Sequence, residues 1–132
     1  MPAPRLSGLV ELLGLTESAI EPGVVRCDLT VDERHRNIQG VTHGSVAIAL
    51  LDTAMGHALS GLLGPDEFCS TTQLSIQFLK ASRPGDRLRA TGKVTRRGRR
   101  IAYLEGSCVN AAGEEIARAH GTWYVGTVAG AP

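Results

Sequence analysis

Aromatic residues are scarce in this chain, which has two Phe, two Tyr and one Trp among its 132 residues. Proteins that bind single-stranded nucleic acid stack the bases on aromatic rings, and the net charge of +1 gives no strong positive field. We therefore expect neither a nucleic-acid partner nor a membrane. Spaced metal ligands such as H-E-x-x-H, a Gly-rich phosphate loop and the G-x-S-x-G turn of serine hydrolases are also absent from the sequence. We expect no bound metal and no cofactor.

Cysteine is rare as well, and its three positions are Cys27, Cys69 and Cys108. An odd number of widely spaced cysteines argues against a disulfide framework or a zinc cluster. We interpret them as small core hydrophobes in a reducing compartment, which favours a cytoplasmic location. The first 14 residues, MPAPRLSGLVELLG, lack the long apolar core of a signal peptide.

No apolar run is long and pure enough to span a membrane. The longest, residues 44–63, contains Asp52 and His57 and is better explained as a buried helix. The helix is apolar nearly all round, so it must be covered on several sides. One sheet covers only part of such a helix, and the remainder predicts a second copy of the chain.

Short alternating segments predict strands around this helix. An N-terminal helical segment, residues 1–19, precedes one strand near residues 25–31, and a tail, residues 126–132, is expected to fray. Four further strands follow the helix with short turns between them: CSTTQLSIQFLKA, DRLRATGKVT, RIAYLEGSCVN and EIARAHGTWYV. This order predicts an α+β fold in a single domain, residues 1–132, with an antiparallel sheet and one long helix.

The single acid in the apolar helix, Asp52, stands nine residues after His43. At about 100° and 1.5 Å per residue, these side chains point to opposite sides of the helix and lie about 13 Å apart along it. One chain therefore cannot bring both to one small substrate. Two antiparallel helices across a two-fold axis can do so. We predict a homodimer with composite sites, in which one subunit contributes Asn37, His43 and Gly44 and the other contributes Asp52.

The start of the helix has chemistry of its own. Its first backbone N–H groups have no intrahelical acceptor, and the helix dipole is positive there. Gly44 carries no side chain to block a ligand, so its N–H is well placed to stabilise an oxyanion. A carboxylate in a poorly hydrated pocket, such as Asp52, is a strong base or nucleophile. These groups together suit the hydrolysis of an activated carbonyl.

The pattern N-x-x-G-x-x-H-G from Asn37 to Gly44, with Asp52-Thr53-Ala54 following, resembles the hotdog-fold acyl-CoA thioesterases. It is most similar to their phenylacetate-degradation (PaaI-like) branch, over residues 20 to 125. The resemblance implies a hotdog fold, a long central helix wrapped by a curved sheet of five to six antiparallel strands. It also implies a dimer that often pairs into a tetramer. Ser45 stands where the family commonly has a second Gly.

The resemblance also implies roles for individual residues. Asp52 matches the catalytic acid, as nucleophile or general base, and Gly44 matches the backbone oxyanion donor. His43 matches a residue that orients or polarises the thioester, and Asn37 matches one that positions the thioester or water. Thr71 stands where the family has a Ser or Thr close to the acid, which holds water or orients the carboxylate.

Arginines crowd the turn at residues 96–100. Their guanidinium groups suit the phosphates of coenzyme A, so Arg97, Arg99 and Arg100 are candidate ligands of the substrate. A merely solvated turn is the alternative. The predicted activity is hydrolysis of an acyl- or aryl-acyl-CoA to the free acid and coenzyme A. Hydration or dehydration of an acyl thioester, and non-catalytic binding of acyl-CoA, are the alternative functions.

Overall fold

The computed structural model describes residues 7–128. Its elements in chain order are α1 (Gly8–Leu13), β1 (Thr16–Glu21), β2 (Val24–Thr30), a 3₁₀ turn (Glu33–His35), α2 (Gly44–Ser60), β3 (Glu67–Phe78), β4 (Arg87–Arg97), β5 (Ile101–Asn110) and β6 (Glu115–Thr127). The six strands form one antiparallel sheet in the order β1-β2-β4-β5-β6-β3. The predicted α+β class and hotdog architecture are confirmed.

The central strands approach α2 closely because glycines face it. A Cβ on Gly92 of β4 would lie 2.5 Å from backbone atoms of Ala54 and Met55. A Cβ on Gly106 of β5 would lie 2.9 Å from side-chain atoms of Leu51 and Met55. A side chain at Gly92 would clash with the helix backbone, and one at Gly106 would force Leu51 and Met55 to move, so the helix lies directly on the sheet.

The helix is covered more completely by its own chain than the sequence indicated. Its buried residues are Val46, Ala47, Leu50, Leu51, Ala54, Met55, Ala58 and Leu59. Of its large apolar side chains, Ile48 stays exposed, at 40%. The uncovered face carries mostly small and polar residues. The expectation that much apolar helix surface is left for a partner is therefore wrong, because strands β2, β3, β4 and β5 already pack against the apolar side chains of α2.

The N-terminal segment differs from the prediction. Helix α1 ends at Leu13, where Gly14 takes a left-handed conformation with φ of 77°, and the chain then forms strand β1. A helical segment over residues 1–19 is therefore wrong beyond Leu13. All six residues of β1 are exposed, so the strand lacks the alternation by which strands are recognised. Residues 1–6 of the predicted helical segment lie outside the described residues, as do residues 129–132 of the predicted tail.

Two other boundaries move by a few residues. Helix α2 starts at Gly44 as predicted but ends at Ser60, and residues 61 and 62 form a turn. Gly126 and Thr127 belong to β6 rather than to a frayed tail. Across residues 7–128, no helix combines the length and hydropathy needed to cross a membrane.

Candidate active site

The first half of the site is the start of α2. His43 is the N-cap residue, and its Nδ1 accepts a hydrogen bond from the Ser45 amide at 3.0 Å. Because Nδ1 is an acceptor, the neutral ring carries its proton on Nε2, which can donate to a ligand. The histidine thus both caps the helix and presents a donor.

Gly44 is the first residue of α2, and among residues 7–128 its amide has no hydrogen-bond acceptor. The Phe78 ring lies beside it, 3.4 Å from the position that a Cβ would occupy. Gly44, His43 and Phe78 line a cavity of about 380 Å³ together with Lys80 and Ser82. An amide donor at a positive helix end therefore faces a cavity.

Asn37 shapes the loop that leads to this helix start. Its Oδ1 accepts from the amides of Gln39 and Val41 at 2.9 and 3.3 Å, and its own amide donates to the Val41 carbonyl at 2.7 Å. Gly40 completes the turn with φ of 85°, a conformation that favours glycine. The side-chain oxygen and the backbone N–H of Asn37 are thus occupied inside the loop. The side-chain nitrogen, Nδ2, is the part that remains for a ligand.

The second half of the site is the pair of Asp52 on α2 and Thr71 on β3. The Thr71 hydroxyl donates to Asp52 Oδ1 at 2.8 Å. Strand β3 has a bulge between Thr71 and Gln73, so that Thr71 faces Trp123 while Gln73 faces Thr122. A bulge beside a functional residue re-aims side chains. The register of β3 thus shifts immediately after Thr71, whose hydroxyl is the one that contacts Asp52.

Asp52 and Thr71 line a cavity of about 460 Å³ that is separate from the cavity at Gly44. Helix α1, one face of α2, part of β3 and the ring of Trp123 form its walls. The two halves of the site thus face two different cavities of one chain. This separation agrees with the helix geometry expected for His43 and Asp52.

The arginine turn is only partly available to a ligand. Arg97 Nη2 donates to Glu67 Oε1 at 2.5 Å, and Arg97 Nη1 donates to the Arg99 carbonyl at 3.2 Å. The hydrogen bond from Arg97 lowers the pKa of Glu67 below its usual 4.5. Arg97 therefore fastens the β4–β5 turn to β3, whereas Arg99 and Arg100 are exposed.

His35 connects two elements of the candidate site, although no sequence pattern gave a reason to select it. It is 2% exposed, its Nδ1 accepts from the Asp32 amide at 2.9 Å, and its Nε2 donates to the Leu13 carbonyl at 2.8 Å. The His43 amide donates to the His35 carbonyl at 2.8 Å. His35 thus links the end of α1 to the start of α2. The H-x₇-H spacing alone gives no signal of this role.

Comparison with known proteins identifies the class. The sequence model of the thioesterase superfamily matches residues 39–117. A Deinococcus radiodurans protein named as an esterase is 34% identical over 101 residues, which cover 76% of this chain and 66% of that protein. Human acyl-coenzyme A thioesterase 13 is 26% identical over 117 residues, covering 85% of this chain and 80% of the human protein. The structure of Escherichia coli PaaI, from the phenylacetic acid degradation operon, superposes with a TM-score of 0.83 at 23% identity, covering 89% of this chain and 83% of PaaI.

Fold, site and matches together define a thioester hydrolase with the hotdog fold. The chain belongs to the thioesterase superfamily, and its fold is that of the PaaI-type thioesterases.

Proposed function

We propose that the protein hydrolyses acyl-CoA thioesters at a site shared between two subunits. Water adds its oxygen to the acyl carbon, the carbon–sulfur bond breaks, and the sulfur leaves as the thiol of coenzyme A. The observation that carries this proposal is the division of the site. Asp52 and the Gly44 amide face separate cavities of one chain, so a second copy has to bring them to one substrate.

Each group has a role that follows from its contacts. The Gly44 N–H points at the developing oxyanion, and the neutral His43 ring donates from Nε2 to the same region. Asp52 attacks the carbonyl or removes a proton from water, held in place by the Thr71 hydroxyl. The side-chain nitrogen of Asn37, Nδ2, positions the thioester or the attacking water.

The carboxylate is tested by replacing Asp52 with Asn, which keeps the shape and removes the charge. Free thiol is measured with a panel of aliphatic and aromatic acyl-CoAs. We expect the variant to lose about 10³-fold or more in kcat, because both proposed roles need the ionised acid. Near wild-type rates in the variant would contradict the proposal. Loss of enoyl absorbance from crotonyl-CoA without thiol release would indicate a hydratase instead.

The oxyanion donor is tested by replacing Gly44 with Pro, which removes the N–H. Pro is well tolerated at the first position of a helix, and the preceding residue, His43, already has the extended backbone that Pro requires. The matched control is Gly44→Ala, which keeps the N–H and adds only a methyl group beside Phe78. We expect kcat to fall by about 10²- to 10³-fold for Pro, and by far less for Ala. Equal rates for the two variants would exclude the amide as the donor.

The shared site is tested by mixing the two inactive variants. A dimer of one Asp52→Asn chain and one Gly44→Pro chain contains one doubly altered site and one intact site. Random reassociation of equal amounts makes half of the dimers mixed, so activity returns to about a quarter of the wild-type value. Sites formed within one chain would stay inactive on mixing. Light scattering on the same samples shows whether dimers pair into tetramers.

The coenzyme A end of the substrate is assigned to Arg99 and Arg100, because Arg97 is occupied by Glu67. Replacing each with Gln should raise KM several-fold with little change in kcat, since the phosphates lie far from the reacting carbon. The effect should weaken at high salt. An unchanged KM in low salt would favour the alternative of a merely solvated turn.

A further inference from the structure

The cavity at Asp52 continues as a groove along one face of α2. Asp52, Gly56 and Ser60 follow one another at intervals of four residues and all line it. Residues four apart lie on the same face of a helix. Eight residues span about 12 Å at 1.5 Å each. The groove therefore leads away from the proposed catalytic acid for roughly the length of two helical turns.

Glycine at the middle position keeps this groove open. A Cβ at Gly56 would already lie 3.4 Å from Trp123 Nε1, so a larger side chain would fill the space between helix and ring. At the far end, the Cys69 sulfur lies 3.9 Å from the Gly56 carbonyl and 3.7 Å from the Ser60 hydroxyl. The groove thus runs from a carboxylate to a thiol, with Trp123 along its side.

Helix α1 forms the opposite wall. Leu9, Val10 and Leu13 line the groove from this side. Leu9 is 58% exposed, so it presents apolar surface beside the open groove. An apolar wall leading from a catalytic acid suits the hydrocarbon part of a substrate.

Side chains of the 3₁₀ turn fix α1 in this position. Arg34 Nη1 donates to the Leu12 carbonyl at 2.7 Å, and His35 Nε2 donates to the Leu13 carbonyl at 2.8 Å. These are carbonyls at the end of a helix, which lack intrahelical partners. A helix of six residues is not stable alone, so these anchors and the packing of Val10 hold it. The wall is thereby a fixed part of the fold.

We propose that this groove binds the acyl chain of the substrate and that α1 selects aliphatic chains of medium length. The inference rests on the proposed function, since it takes Asp52 as the site of hydrolysis. With carbon–carbon bonds of about 1.5 Å, an extended chain advances about 1.3 Å per carbon. A length of about 12 Å then holds about nine carbons. An acetyl group ends near Asp52, whereas an octanoyl chain reaches Cys69.

The first test compares two leucines of α1. Leu9→Ala shortens a side chain that lines the groove, whereas Leu12→Ala shortens one that is 67% exposed and does not line it. Thiol release is measured with acetyl-, octanoyl- and phenylacetyl-CoA. We expect the ratio of kcat/KM for octanoyl-CoA to that for acetyl-CoA to fall about fivefold in Leu9→Ala, because contact with the chain is lost. The ratio should stay at the wild-type value in Leu12→Ala. Equal ratios in both variants would overturn the role of α1.

The second test does not depend on turnover. Cys69 is half-buried in the groove, whereas Cys27 and Cys108 are buried and burial raises the pKa of each thiol to about 12. N-ethylmaleimide should therefore label Cys69 selectively, and mass spectrometry of peptides reports each site. In the full-length Asp52→Asn protein, octanoyl-CoA should slow the labelling of Cys69 several-fold, while acetyl-CoA and free coenzyme A should not. Equal protection by octanoyl-CoA and acetyl-CoA would refute the groove.

The two tests separate this inference from the proposed function. Hydrolysis of acyl-CoA that is insensitive to Leu9, without chain-dependent protection of Cys69, would refute the groove and leave the thioesterase proposal standing. Protection of Cys69 by octanoyl-CoA without hydrolysis by the wild-type protein would support the groove and refute the reaction.

Discussion

The contact between Thr71 and Asp52 gives the sharpest test of how the site is built. Replacing Thr71 with Val removes the hydroxyl that donates to Asp52 Oδ1 at 2.8 Å. Valine keeps the branched shape and suits a strand, so the fold of β3 should be preserved. The variant therefore changes one hydrogen bond and little else.

The size of the effect follows from the type of bond and its surroundings. A hydrogen bond to a charged group contributes about 1.5–3 kcal/mol. Thr71 is exposed in the single chain, so water competes for the carboxylate and the lower end of this range applies. About 1.5 kcal/mol corresponds to a loss of roughly tenfold in rate. Since Thr71 orients the acid rather than the substrate, the loss should appear in kcat and leave KM nearly unchanged.

The assay measures thiol release at acyl-CoA concentrations up to saturation, and thermal unfolding gives the Tm of each protein. Thr71→Ser restores a hydroxyl at the same position and should recover most of kcat. Thr71→Val with wild-type kcat would refute the positioning role. A tenfold loss that Ser fails to rescue, together with a lowered Tm, would show that Thr71 supports the fold instead.

Two further predictions concern the fold around the site. Gly92→Ala should destabilise the protein by about 1–3 kcal/mol or more in urea unfolding, because the new methyl would meet helix backbone at 2.5 Å. Gly8→Ala is the control, since nothing lies within 4 Å of its Cβ position, and equal stability of the two variants would contradict the close approach of helix and sheet. The pKa of Glu67 is depressed by Arg97, so the pair stabilises the fold above the usual value of 4.5 and this contribution is lost as the pH falls through the lowered pKa. Arg97→Gln should thus lower the urea midpoint near neutral pH, with a difference from wild type that disappears in strong acid; a difference independent of pH would refute the pairing.

Much of the fold could be predicted from residue patterns because burial imposes them. In the helix from Gly44, apolar residues recur with the helical period, and in the strands that follow they alternate with polar ones, because one face of each element is buried in the core. Strand β1 could not be predicted in this way, since all six of its residues are exposed and it is held by backbone pairing with β2. The helix end was placed too late because Leu62 and Leu63 continue the apolar pattern after the helix has stopped at Ser60.

The site was predictable in its parts but not in its connections. Helix geometry alone separates His43 from Asp52, and the structure places them in different cavities. The resemblance placed Thr71 close to the acid, and its hydroxyl donates to Asp52, whereas the bulge that follows Thr71 in β3 leaves no mark in the residue pattern. The anchoring role of His35 depends on a carbonyl 22 residues away in the chain, and no local spacing indicates such a contact.

The hydrogen bonds of His35 also connect α1 to the candidate active site. The His35 ring donates to the Leu13 carbonyl at the end of α1, and the His35 carbonyl accepts from the His43 amide, so one residue positions both the wall of the proposed acyl groove and the loop before the helix start. In the proposed dimer, the helix start of one subunit would serve the Asp52 of the other. At each site, helix α1 beside Asp52 and the Gly44 oxyanion donor would then come from different chains. Within each chain, the loop that contains His35 supports both of these elements. A change at residues 33–43 should therefore alter chain-length preference at one site and catalytic rate at the other.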